Sequence, residues 1–507
     1  MISPESLILG LYFGLLVCLS VYGVHRAYLV YLYTKYRASV SPARHLRQRQ
    51  PDTASGDGAL PVITVQLPIY NEMYVVERLI DAVANLDYPP SLLEIQVLDD
   101  STDETCHIAR RAVDHWVVCG RDIHYLPRAV RTGFKAGALS AGLQRARGDL
   151  IAIFDADFLP PRDFLRRCLP AFREPDIGMV QARWGHINRE YSLLTRVQAL
   201  LLDAHFVLEH GARQRAGCFF NFNGTAGVWR RQAIESAGGW DHDTLTEDLD
   251  LSYRAQLAGW RFRFFPDVVS PGELPVSMNA FKTQQNRWVK GSIQTCLKVL
   301  PSVLCGQRPL RVKFEAFFHL TANFNYPLMM LLALVMVPAL YIRRAMGLHT
   351  LMLVDLPLFF ASMLSVANFY AFSQRELRAD WLTQLKFIPA VMAIGVGLSV
   401  NNTKAVIGGL LGRPGEFSRT PKYGVTSKDD DWTTKRYRES IQAQPLVEIA
   451  LGLYYTAAVM YAVSAGLFAP LPFLFLFQAG FLSTGLMSLV QQHSVASFLL
   501  RAHVPSP

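Results

Sequence analysis

The sequence predicts a chain in two parts: a parallel, doubly wound α/β domain over residues 51–310, embedded in an all-α transmembrane region. Three observations point there. Short apolar runs alternate with helical stretches between residues 61 and 300. Long uncharged runs flank that segment, at 6–24 on one side and at 316–342, 356–374 and 449–500 on the other. Hydrophobic residues make up 51% of a chain of 507, and mean hydropathy is +0.17, a balance suited to a protein partly in lipid.

The elements follow in chain order. Residues 6–24 are about long enough to cross hydrocarbon, and no small-residue cleavage site follows, so they read as an uncleaved helix. Arg26, Lys35, Arg37, Arg44, Arg47 and Arg49 come next without one acid. That bias places the domain beyond residue 50 in the cytosol, and makes 1–50 a membrane helix with a basic linker. Strands are expected at VITVQLPIY (62–70), LEIQVLDD (93–100), LIAIFDAD (150–157) and IGMVQARW (177–184), with helices over 71–85, 103–116, 133–147 and 160–174. Sheets of this kind bind ligands at the carboxyl ends of their strands, where Asp99, Asp100, Asp155 and Asp157 fall. Neither GxGxxG nor GxxxxGK[ST] is present.

Residues 311–507 are expected to supply four more spans, two of them from 449–500, where Ala-Pro-Leu-Pro at 469–472 breaks the run. Residues 387–403 are apolar but short and contain Pro389; they read as part of an interfacial helix over 381–411. A span there would put the basic 404–444 stretch outside. Five spans leave the N-terminus outside and the C-terminus inside. Arg343 and Arg344 would then lie in an outer loop, against the charge rule, which keeps six spans open.

Composition excludes several classes. The net charge of +9 is not gathered into a basic face interleaved with aromatics, so nucleic acid is not an expected partner. Seven cysteines, an odd number without a CxxC, argue against a disulfide framework or zinc site and for a reduced compartment. Arginine greatly exceeds lysine, as a GC-rich bacterial genome would produce. The expected location is therefore a bacterial inner membrane, or the Golgi for a plant chain.

Five polar clusters need a common explanation: Gln66 to Glu72, Asp99-Asp100-Ser101, Asp155-Ala156-Asp157, Leu245-Thr246-Glu247-Asp248, and Gln284 to Trp288. Asp155 and Asp157, one residue apart at a strand end, would share a side. Two such charges disfavour each other unless a cation lies between them, and a hard divalent ion would serve. A strand-end Asp followed by a helix-capping Asp is the plainer reading. Thr246-Glu247-Asp248 could likewise be helix N-terminal charge, and Arg287-Trp288 a membrane-interface anchor. Singly these readings stand level; the order and spacing of the whole set favour chemistry.

The set resembles processive, membrane-bound glycosyltransferases of family 2, the cellulose synthase superfamily. The likeness rests on Asp100, the DxD of Asp155 and Asp157, the TED of Thr246–Asp248 and the QxxRW of Gln284, Arg287 and Trp288. GFKAGAL, VQARWGHIN, FFNFNGTAGVWR, TLTEDLDLSYRAQLAGW and GLSVNNTKAV bring it nearest to the plant cellulose synthase-like A and C branches, makers of mannan, glucomannan and the xyloglucan backbone. The resemblance implies a GT-A fold with a doubly wound mixed sheet. It implies that Glu72 and Asp100 hold base and ribose, and that Asp155 and Asp157 bind the diphosphate and a Mg²⁺ or Mn²⁺ ion. Lys135, Gln284, Arg287, Thr420 and Lys422 would also serve the donor. Asp248 would be the general base, with Glu247 and Asp157 beside it in the catalytic set. Trp288, Asn223, Gly224 and Thr225 would meet the acceptor. Phe417 to Lys422 resembles the FxxTxK gating loop, here 413–423; its plainer reading is a basic cytosolic loop.

The expected function is polymerisation of a β-1,4-linked hexose chain, with UDP-glucose favoured over GDP-mannose and export through the membrane helices. Expected partners are the nucleotide sugar, the growing glycan, the bilayer and accessory export subunits. A non-processive transferase acting on a membrane lipid is the nearest rival. A nucleotide-binding transport protein is a rival of another class, disfavoured by Asp248.

Overall fold

A computed structural model of the chain describes residues 3–37, 60–348, 352–412, 419–437 and 443–502. Residues 38–50 of the expected basic linker and 413–418 of the expected gating loop lie outside the described residues.

The α/β domain is built on one seven-stranded sheet. Its strands are β1 (Ile63–Ile69), β2 (Leu93–Asp99), β3 (Ile123–Pro127), β4 (Leu150–Ile153), β5 (Ile177–His186), β6 (Gly227–Arg230) and β7 (Arg261–Gly272), in the order β3-β2-β1-β4-β6-β5-β7. β1 pairs in parallel with β2 and β4, and β2 with β3. β6 runs antiparallel to both β4 and β5, while β5 and β7 are parallel. The sheet is therefore mixed rather than wholly parallel. The chain winds outward from β1 in one direction through β2 and β3, and β4 lies on the other side. That reversal opens a crevice at the carboxyl ends of β1 and β4.

β1 is buried on both faces, which explains its continuous Ile-Thr-Val-Gln-Leu run. Its two polar side chains are satisfied across the sheet: Thr64 Oγ1 donates to Glu94 Oε2 at 2.6 Å, and Gln66 Nε2 to Gln96 Oε1 at 3.0 Å. Separate apolar clusters cover the two faces, one around Val65, Leu79 and Phe164, the other around Ile151, Trp229 and Phe262.

Three of the four expected helices form close to expectation, as Val76–Ala84, Thr105–Val118 and Phe134–Arg145. The fourth is an α-helix only over Phe164–Cys168. It tightens to a 3₁₀ turn over Leu169–Arg173, where Pro170 has no N–H to continue the ladder. The expected strand over 150–157 ends at Ile153, so Asp155 and Asp157 sit in a turn closed by Phe158 N donating to Asp155 O at 3.0 Å. Their nearness is set by that turn and not by strand alternation.

Among the described residues five helices are long and apolar enough to cross a membrane: Pro4–Lys35, Leu310–Ala345, Val354–Leu377, Gln444–Ser464 and Leu471–Gln492. The pair Trp381–Gly397 and Ser399–Leu410, bent by 45°, would make a sixth if it counts as one span. The break before Pro470 falls where the Ala-Pro-Leu-Pro run predicts it. Arg343 and Arg344 are not in a loop; they close the helix Asn325–Ala345. Arg343 is buried against Asp355, whose Oδ2 also accepts from Tyr12 Oη at 3.0 Å. An unpaired arginine inside a bilayer costs about 2.5–3.5 kcal/mol on insertion scales. Pairing with Asp355 offsets that cost for Arg343, while Arg344 is exposed and bonds Ala465 O, so the two arginines still count against the charge rule.

Candidate active site

The crevice is a cleft lined by every candidate site residue except Thr225. Thr225 lies fully buried beneath the floor, where its Oγ1 accepts from Asp155 N at 2.8 Å. It positions the acidic turn and does not reach an acceptor.

On the strand-end side, each carboxylate faces a cation. Lys135, in the first turn of Phe134–Arg145, puts Nζ 2.5 Å from Asp155 Oδ1 and 2.8 Å from Gly224 O. Lys422 Nζ lies 2.7 Å from Asp157 Oδ2. Arg128 grips Asp100 with two hydrogen bonds, at 2.7 and 2.5 Å, and also donates to Thr132 O and Phe134 O. Asp100 thus holds the loop that aims Lys135. Glu72 accepts two hydrogen bonds from Arg419, at 3.1 and 2.9 Å. Burial pushes its carboxyl up to about 7, with Arg419 pulling the other way.

The described part of the expected gating loop lies over this cleft. Glu273, just after β7, ties it down: Oε1 accepts from Tyr423 N at 2.9 Å and Oε2 from Gly424 N at 3.0 Å, while Arg78 lies 3.0 Å from Oε2. Thr420 Oγ1 is enclosed and has no hydrogen-bond partner among the described residues.

On the opposite wall stands Asp248, in the first turn of the helix Glu247–Leu257. The helix Met278–Cys305 presents Gln284, Arg287 and Trp288 at i, i+3 and i+4, on one face. Gly291, one turn on, brings that helix against Thr246; a Cβ there would lie 2.6 Å from Thr246 Cγ2. Leu245 N donating to Gln294 Oε1 at 3.0 Å fixes the same junction. Gly224, at φ +80°, lies so near Asp248 that a Cβ would come within 3.0 Å of its Oδ2. Desolvation, with Glu247 adding to it and Lys135 opposing, pushes the Asp248 carboxyl up to about 7. A carboxyl with that affinity for protons suits proton transfer near neutral pH.

Behind Asp248 opens a second cavity, reaching between the membrane helices. Asp248, Thr246, Asn223, Gln284, Trp184 and Trp288 line both spaces. The two tryptophan rings lie 6.4 Å apart, tilted by 52°.

The donor set at the acidic turn fits a hard divalent cation. Asp155 and Asp157 offer carboxylate oxygens, the donors such an ion takes, although each faces a lysine, Lys135 and Lys422, that the ion would have to displace or share with. Among the described residues a tighter acidic trio, Asp241, Asp243 and Asp250, lies outside this cleft and is filled by Lys298 Nζ at 3.0, 2.8 and 3.2 Å. Arg128, Arg131, Glu273 and His205 were not singled out from the sequence. Arg131 stacks its guanidinium 3.3 Å from the centre of the Tyr70 ring at the base end of the cleft.

Residues 61–291 match the model of the family described as glycosyltransferase like family 2. Glucomannan 4-beta-mannosyltransferase 1 of Cyamopsis tetragonoloba is 33% identical over 450 residues, covering 86% of this chain and 81% of that protein. Glucomannan 4-beta-mannosyltransferase 1 of Oryza sativa subsp. japonica is 38% identical over 325 residues, 61% of each chain. Its counterpart 2 of Arabidopsis thaliana is 42% identical over 280 residues, 54% of this chain and 52% of that one. The match thus spans about three fifths of the rice relative and half of the Arabidopsis one. The mannosyltransferase PcManGT of Pyrobaculum calidifontis, solved with GDP-Man and Mn²⁺, aligns over 78% of this chain and all of that one, at 22% identity and a TM-score of 0.49. With a relative 33% identical over 86% of this chain and 81% of its own length, and the matched domain over residues 61–291, the chain belongs to glycosyltransferase family 2.

Proposed function

We propose that the chain is a membrane-bound inverting hexosyltransferase that extends a β-1,4-linked glycan from a nucleotide sugar delivered in the cytosol. The observation that carries this is the position of Asp248 where the two cavities meet. One cavity is lined by cations and carboxylates suited to a nucleoside diphosphate, the other by aromatic and amide groups suited to a sugar chain.

In the reaction the acceptor hydroxyl bonds to the anomeric carbon as the bond to the diphosphate breaks. Asp248 takes the hydroxyl proton. Lys135 and Arg287 balance charge on the departing diphosphate. A Mg²⁺ or Mn²⁺ ion, held by Asp155 and Asp157, would add charge neutralisation there. Attack from the side opposite the leaving group turns an α-linked donor into a β-linked product. Trp288 stacks on the acceptor ring, because an indole face lies well against the apolar face of a sugar.

The sequence favours UDP-glucose; relatives named as mannosyltransferases move the choice to GDP-mannose. The second cavity opens between membrane helices beside Asp248, which supports a reading in which the growing product enters the membrane region there. Membranes carrying the full chain should incorporate label from GDP-mannose more readily than from UDP-glucose, into a chain cleaved by a β-1,4-mannanase. A product that is only monoglycosylated lipid, at any donor concentration, would replace this reading with the lipid transferase.

A further inference from the structure

Two cations of the loop over the cleft are used differently. Lys422 pairs with the acidic turn, whereas Arg419 turns to Glu72. Its Nε lies 3.1 Å from Glu72 Oε1 and its Nη2 2.9 Å from Oε2. The Tyr437 ring backs the guanidinium, its centre 4.0 Å from the central carbon. Tyr437 is itself fixed: Oη donates to Asp103 Oδ2 at 2.7 Å and accepts from Met73 N, next to Glu72, at 3.0 Å. Carboxylate, ring and guanidinium thus brace one another across segments far apart in the chain. Arg419 stands between Phe417, Thr420 and Lys422, the positions that carry the loop's resemblance, and takes no role from it.

A guanidinium is a rigid fork of N–H donors. The bonds to Glu72 use its Nε–Nη2 edge and leave the Nη1–Nη2 end for a ligand. Arg419 lines the cleft together with Tyr70, Glu72 and Arg131. With a diphosphate at the acidic turn and the transferred sugar at Asp248, this is the arm left for the nucleoside.

We propose that Arg419, braced by Glu72 and Tyr437, selects the donor by its base, and that the base is guanine. Guanine carries two adjacent acceptors, O6 and N7, at the spacing of a guanidinium end. Uracil has no such pair, and adenine sets an amino donor beside N7, so a donor meets a donor. Glu72 and Tyr437 are positioning residues that fix the plane of the fork. The inference deepens the hexosyltransferase reading and rests on it: the cleft takes a guanosine diphosphate sugar.

The test measures binding of the bare diphosphates GDP, IDP, ADP and UDP, with Mg²⁺, to the full chain in detergent, so that the sugar plays no part. Wild type should bind GDP and IDP, which share O6 and N7, about five- to hundredfold more tightly than ADP or UDP. Arg419→Ala should bring all four within about threefold of one another, with GDP and IDP losing most. Arg419→Gln, whose amide matches adenine N6 and N7, should bind ADP more tightly than Arg419→Ala does. Should Arg419→Ala fail to fold, Tyr437→Ala, which removes the backing ring, should narrow the GDP-to-UDP ratio in the same direction. GDP and UDP weakening by one common factor in Arg419→Ala would reduce Arg419 to a charge on the diphosphate and overturn the proposal. A wild type that binds UDP as tightly as GDP would overturn it too, and leave the hexosyltransferase reading standing. A wild type that binds none of the four would overturn that reading instead.

Discussion

On the proposed donor side of Asp248, Glu72, Asp100, Asp155 and Asp157 each sit against their own cation: Arg419, Arg128, Lys135 and Lys422. On the proposed acceptor side the lining includes Trp184, Trp288, Asn223, His205 and Gln284, and its charges Arg26, Glu209 and Arg213 are matched to one another. The difference teaches how one site handles two unlike ligands. A nucleoside diphosphate with its cation can exchange partners with ion pairs that are complete without it. A neutral glycan has no such currency, and is held by ring faces and hydroxyl contacts that permit sliding. Removing one member of a buried pair leaves a bare charge, at about 3–5 kcal/mol; removing one stacking face costs a contact worth far less.

The largest effect expected on this contrast comes from stripping the metal. Chelation by EDTA should abolish transfer, and Mg²⁺ or Mn²⁺ should restore it, since the paired carboxylates of the acidic turn call for a hard cation. Full activity in metal-free buffer would remove the cation from the donor side.

Next comes the base. Asp248→Asn should retain donor binding while lowering turnover by roughly 10²–10⁴-fold. The raised Asp248 pKa, about 7, has a definite sign: below it the carboxyl is protonated and cannot accept the hydroxyl proton. Turnover of the wild type should therefore fall as pH drops through about 7, by roughly tenfold per unit below it. A profile flat from pH 5 to 8 would assign the proton to another group.

Much of this was legible beforehand, for uneven reasons. β1, β2 and β5 announce themselves as long apolar runs. β3 and β7 do not, because both are edge strands: β3 is five residues with His124 in it, and β7 carries Pro266, in a register shift, and Pro271, interruptions an edge strand accommodates. β6 is four residues long and reverses the sheet's direction without a local signal. The site residues with motif spacing reach the cleft, yet the Asp155–Asp157 geometry comes from a turn and Thr225 turns inward. Glu273 and Arg128 belong to no motif; their roles arise only when distant segments meet. His205 and Glu209 left one trace, an i, i+4 titratable pair in a largely apolar helical stretch that also holds Asp203 and His210.

The division between the two sides is tested most directly by comparing Lys135→Ala with Trp288→Ala, scoring donor KM and product length for each. Loss of Lys135 should raise donor KM about tenfold or more while the chains that form keep their length, because it removes fixed charge from the diphosphate subsite. Loss of Trp288 should leave donor KM within about twofold and shorten the chains, because it removes the acceptor's stacking face. If Trp288→Ala weakened the donor as much as Lys135→Ala did and chain length stayed unchanged, the two sides would not be separate, and the account would be wrong at its centre.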